Sequence, residues 1–84
     1  MKAKVYQLSM KQLQALETLL ESEGLRVDAV HGPIHYKTVH SLYIKGLVER
    51  KEVEVDGELV DSVVPIDEEK VREAVATRQV VYID

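Results

Sequence analysis

The stretch from Tyr36 to Arg50 constrains this chain more than any other. It reads as a short amphipathic helix, from about His35 to Lys45, that stops at a glycine and runs straight into a β-hairpin. On a 3.6-residue repeat, Tyr36, Val39, Leu42 and Tyr43 share one side. Lys37, Thr38, Ser41 and Lys45 share the other. Gly46 stands where a helix end wants a left-handed residue, and Leu47 is the apolar residue that closes such a cap. A helix of this kind packs one side on its own domain and offers hydrogen-bond donors outward.

Beyond Gly46 the period changes from helical to alternating. Val53 and Val55 alternate with Glu52 and Glu54, Asp56-Gly57 is a hairpin turn signal, and Glu58 to Val64 returns as the partner strand, closed by Pro65. A two-residue turn places Val53 opposite Val60, a favourable cross-strand pair. It also places Glu52 opposite Asp61, a like-charge pair that costs stability unless it is solvated or bound by a cation.

Thr38-Val39, then Leu42, then Lys45-Gly46-Leu47-Val48-Glu49-Arg50 resembles the recognition-helix and wing-entry segment of winged helix-turn-helix domains. The resemblance extends in order over most of the chain, with its specific part about fifteen residues long. It implies an α+β fold: a small winged helix-turn-helix domain with a β-hairpin wing and an extra C-terminal helix and strand, one domain over residues 1–84. The segment between Val39 and Gly46 is about a turn shorter than in longer-helix members, and Arg26 to Gly32, where a second helix belongs, is short and followed by Pro33. The function implied is sequence-specific binding of double-stranded DNA by a small transcriptional regulator.

The flanking segments complete the order strand, helix, short second helix, helix, hairpin, helix, strand. Lys2 to Leu8 suits a short strand around Val5 and Tyr6. Ser9 and Gln12 have the spacing of a capping box ahead of a helix from Met10 to Glu23, with Leu13, Leu16 and Leu20 on one face and Leu19 beside it. Gly24 is expected to end that helix. Val27, Ala29 and Val30 fit either one helical turn capped by Asp28 or an extended segment, and Gly32-Pro33 is punctuation in both cases. Asp67 caps a helix whose first turn holds Glu68 and Glu69, with Val71, Ala74 and Val75 as its apolar face. Val80 to Ile83 is a β-rich run too apolar to be left in water. It needs a ladder partner, either the Val5–Tyr6 segment or a second copy. Tyrosine is the only aromatic, so the core of this 84-residue chain is small and aliphatic. That tips the expectation toward the second copy and a homodimer.

Charge is distributed unevenly along the chain. The whole carries −4, but residues 26–51 carry five Lys/Arg against two acids and hold all three histidines, while residues 52–84 carry ten acids against three Lys/Arg. Asymmetry of this kind speaks about partners. Lys37, Thr38, Ser41 and Lys45 are the candidates for phosphates and base edges in a major groove, with Arg50 and Lys51 reaching the flanking backbone. His35 and His40 are placed as helix-terminus or phosphate-facing groups. His31, His35 and His40 have a spacing that invites a metal, but Gly32-Pro33 interrupts the first pair and the second pair points to different sides of a helix. No cofactor is implied.

The acidic hairpin (Glu52, Glu54, Asp56, Glu58, Asp61) opposes ordinary wing-to-DNA contact. An alternative is a winged-helix protein-interaction module whose acidic hairpin and C-terminal helix meet a basic partner. Cysteine is absent, and no nucleophile motif or phosphate-cradling glycine loop appears, so no enzyme is expected. Without an apolar leader or membrane-length run, the sequence points to a soluble, cytoplasmic protein with no membrane partner.

Overall fold

The computed structural model describes residues 3–83. In order they form β1 (Ala3–Gln7), α1 (Met10–Glu21), a 3-10 turn (Glu23–Leu25), β2 (Val27–Asp28), α2 (Tyr36–Ile44), β3 (Val48–Val55), β4 (Glu58–Pro65), α3 (Glu68–Thr77) and β5 (Gln79–Ile83). The result is a small α+β domain with two antiparallel sheets, ordered β2-β4-β3 and β1-β5. Lys2, where the first strand was expected to begin, lies outside the described residues. No helix among the described residues is long and apolar enough to cross a membrane.

Ser9 starts α1 as its spacing predicts. Its hydroxyl accepts from the Gln12 amide at 3.2 Å, and the Gln12 side chain accepts from the Ser9 amide at 2.9 Å. Leu13, Ala15, Leu16 and Leu19 are buried, and this stripe is the surface on which α2, α3 and β4 converge. The helix stops two residues before the expected Glu23. The Ser22 hydroxyl donates to the Thr18 carbonyl at 2.6 Å, while the Ser22 amide turns to Leu19 at 3.2 Å. The chain leaves the helix there, and Gly24 serves the reversal that follows, with φ of +69°.

Both readings left open for Arg26 to Ile34 occur, one after the other. Val27 and Asp28 are extended and pair with Val63 and Ser62 of β4. A single turn follows in place of the short second helix. The Asp28 carboxylate accepts from the amides of Val30 and His31, both at 2.8 Å, and the Asp28 carbonyl accepts from Gly32 at 2.9 Å. These backbone hydrogen bonds, His31 first and Val30 second, hold the Asp28 carboxyl below its usual range.

Gly46 ends α2 with φ of +72°. Its amide donates to Tyr43 at 2.9 Å and the Leu47 amide donates to Leu42 at 3.1 Å, the paired bonds of a Schellman cap. Leu47 and Val48 are fully buried, so the chain enters β3 from inside the core. Asp56 and Gly57 both have positive φ, as a two-residue type I′ turn requires. The register is the predicted one, with Val53 opposite Val60 and Glu52 opposite Asp61.

Asp67 caps α3 through the amides of Glu69 and Lys70, at 3.0 and 3.3 Å. Val71 and Ala74 are buried and Val75 packs beside them. Left-handed Arg78, with φ of +60°, ends the helix, and its carbonyl accepts from Leu8 at 3.0 Å. That bond leads β5 alongside β1, from Gln7 opposite Gln79 to Ala3 opposite Ile83. The apolar tail therefore finds its ladder in the same chain. Of the two partners the sequence offered, the Val5–Tyr6 segment pairs with it, along one edge of β5.

Two glycines are required for different reasons. At Gly46 an added Cβ meets nothing within 4 Å, so only the left-handed backbone resists it. Gly46→Val should lower the melting temperature by the equivalent of about 1–2 kcal/mol. At Gly32 a Cβ would lie 2.1 Å from the Asp28 carbonyl oxygen, a backbone atom. Gly32→Ala should therefore cost more, and thermal melts of the two variants check the order.

Asp28 has a depressed carboxyl pKa in the folded chain, so its contribution is present above the unfolded pKa and is lost as pH falls through the folded one. The melting-temperature gap between the parent and Asp28→Ala should be full at neutral pH. It should close in acid, below the ordinary carboxylate range, and circular dichroism melts across pH measure it.

Candidate nucleic-acid interface

α2 begins at a histidine. The His35 Nδ1 accepts from the Lys37 amide at 3.2 Å, and its ring lies 4.5 Å from that of Tyr36. An imidazole nitrogen thus fills the place usually taken by a Ser, Thr, Asp or Asn oxygen. From this start the helix buries Val39 and Leu42 and leaves one long side open.

The open side is not the one the spacing suggested. Tyr36 is 65% exposed and Tyr43 57%, although both were expected to pack inward. Ile44 is 67% exposed beside them. Thr38, Ser41 and Lys45 are half-buried instead. The cause is a contact between helices. Gln12 Nε2 on α1 donates to Ser41 Oγ at 3.1 Å, and that hydroxyl donates to the Thr38 carbonyl at 2.8 Å. Small hydroxyl residues let α1 approach closely on that side, and the bulky phenols turn away from it.

The remaining candidates divide clearly. His35, Lys37, His40 and Lys51 are exposed. Lys37 and His40 lie on the open side of α2 and line a shallow groove with Tyr36, Tyr43, Glu49 and Arg50. Arg50 is exposed but engaged. Its guanidinium forms a two-pronged ion pair with Asp61 on β4, with Nε 3.4 Å from Oδ1 and Nη2 against Oδ2. The hydrogen bond to Asp61, followed by its charge, raises the Arg50 pKa further above its ordinary value. The pair also answers the facing acids Glu52 and Asp61, because a cation two residues along β3 compensates one of them.

Arg26 is likewise turned inward, its Nε donating to the buried Ser62 hydroxyl at 2.9 Å. Of the five cations in residues 26–51, Lys37, Lys45 and Lys51 carry no ion pair among the described residues. His31, His35 and His40 form no metal-holding group with other His, Asp or Glu among the described residues.

The sequence missed Tyr36, Tyr43 and Ile44 as surface residues. Only the Gln12–Ser41 contact reveals them, and it joins residues 29 positions apart. Comparison with protein families, with characterised proteins and with solved structures finds no match for this chain.

The Gln12–Ser41 contact should be measurable as a coupling. Gln12→Ala and Ser41→Ala should each lower stability by about 0.5–1.5 kcal/mol. The double variant should lose less than the sum of the two. Additive losses in urea unfolding would show that the two side chains do not meet.

Proposed function

We propose that this chain is a winged helix-turn-helix domain that binds double-stranded DNA in a sequence-specific way, as a small transcriptional regulator rather than an enzyme. The observation that carries the reading is the placement of α2. Val39 and Leu42 hold one side in the core, Gly46 turns its end into the β3–β4 hairpin, and the opposite side is open. The order α1, β2, single turn, α2, hairpin supports the same reading, as does the net positive charge of residues 26–51. In this reading α2 lies in the major groove, Lys37, Lys45 and Lys51 meet phosphates, and the acidic hairpin stays off the duplex. A homodimer suits a palindromic site. With β5 already paired in cis, the half-exposed Val5 and Val81, opposite each other on the ribbon, are the surface for it.

A second reading has its own support. Glu52, Glu54, Asp56 and Glu58 are exposed on the hairpin, with Leu59 exposed beside them, a surface suited to a basic protein partner.

Fluorescence anisotropy with random-sequence duplex DNA over a salt series tests the proposal. Affinity should fall steeply as salt rises. Lys37→Ala and Lys45→Ala should each flatten the slope by up to about 0.9 for every phosphate the lysine neutralises. Absence of binding at low salt would move the assignment to the second reading.

A further inference from the structure

We infer that α2 selects its DNA by contact with thymine methyl groups, an inference that rests on the duplex-binding reading above. The argument starts from what α2 lacks. Residues 36–44 contain no Arg, Asn or Gln, and Lys37 is the one side chain there that could grip guanine in bidentate fashion from the major groove. Two of the polar readers the spacing offered are already used. Ser41 accepts from Gln12 and donates to Thr38, and Arg50 is held by Asp61. What faces outward is Tyr36, Tyr43 and Ile44, with His40 and Lys37 among them.

The thymine C5-methyl is the apolar feature of the major-groove edge of the standard bases, and apolar side chains read it. Tyr36 and Tyr43 lie two helical turns apart, about 10 Å along the axis at 1.5 Å per residue. That separation spans about three base-pair steps of 3.4 Å. Charge complementarity selects nucleic acid for this face. Lys37, without an ion pair among the described residues, lies on this face, within a segment of residues 26–51 that is net positive. The tyrosines exposed beside that cation contact bases while Lys37 holds the backbone.

The test compares affinity for an alternating adenine–thymine duplex with the same duplex carrying uracil in place of thymine. An alternating guanine–cytosine duplex, with and without 5-methylcytosine, forms the second pair. Replacing thymine by uracil should weaken binding about fourfold per contacted base, from about 0.8 kcal/mol per buried methyl group. 5-Methylcytosine should strengthen binding by a similar factor. Tyr43→Ser, at an exposed position, should shrink both differences, and a circular dichroism melt of the variant checks that it is folded. Equal binding of thymine and uracil duplexes overturns this inference and leaves the duplex-binding reading standing. No binding to any of the four overturns both.

Discussion

Leu47 is held from three directions. Its amide donates to Leu42 at the end of α2, its carbonyl accepts from Ile66 at 3.1 Å just past β4, and its side chain is fully buried. One residue thus joins the end of a helix to both ends of a hairpin. The left-handed Gly46 aims it, since without that turn the Leu47 amide could not reach Leu42. The rest of the architecture follows from this junction. With the hairpin clamped at its base, β4 can accept β2 on its other edge, and Val27 and Val63 close the core beside Val48. The orientation of α2 is settled by the same clamp at one end and by Gln12 on Ser41 near its middle.

The features legible in the sequence are those written in a few consecutive residues. Ser9 with Gln12, Asp67 before two glutamates, Gly46 before Leu47, and Asp56-Gly57 between alternating strands each encode a local geometry, and each is found where its spacing places it. The hairpin register follows from the turn alone. Features that depend on partners far along the chain were not legible, and some local ones were masked by stronger signals. α1 ends at Ser22, whose backbone turns extended with its amide on the Leu19 carbonyl, two residues ahead of Gly24. A left-handed arginine ends α3, where no glycine announces it. The candidate site suffers most from this limit. Helical periodicity locates a polar and an apolar side, but a nine-residue helix with tyrosines on the boundary can be turned either way. The contact that turns α2 lies on α1. In the same way the Arg50–Asp61 ion pair spans the hairpin and removes a cation that reads as free in the sequence.

Charge is handled by local neutralisation more than by the net balance. Asp28 commits its carboxylate to backbone amides, Asp67 to the start of α3, Asp61 to Arg50, and Glu68 to Arg72 one turn along, at 3.0 Å. The acids without an ion pair among the described residues include Glu52, Glu54, Asp56 and Glu58 on the projecting hairpin, Glu69 and Glu73 on α3, and Glu17, Glu21 and Glu23 on and just after α1. A chain that is negative overall can still expose cations on α2, where Lys37 and the acid Glu49 line the same groove.

The β1–β5 ribbon ties together residues separated by almost the full length of the chain, whereas the β3–β4 hairpin pairs neighbours across two residues. Loop closure of that span is slow compared with forming a hairpin, so the ribbon is the late event in folding. All five residues of β1 are exposed, whereas on β5 Val80, opposite Tyr6, is buried in the core. The outer strand β1 is thus the part of the ribbon held by the fewest buried side chains. Amide hydrogens along β1 and β5 exchange with solvent through brief fraying of the ends, while those of Leu16 and Leu42 wait for the whole core to come apart.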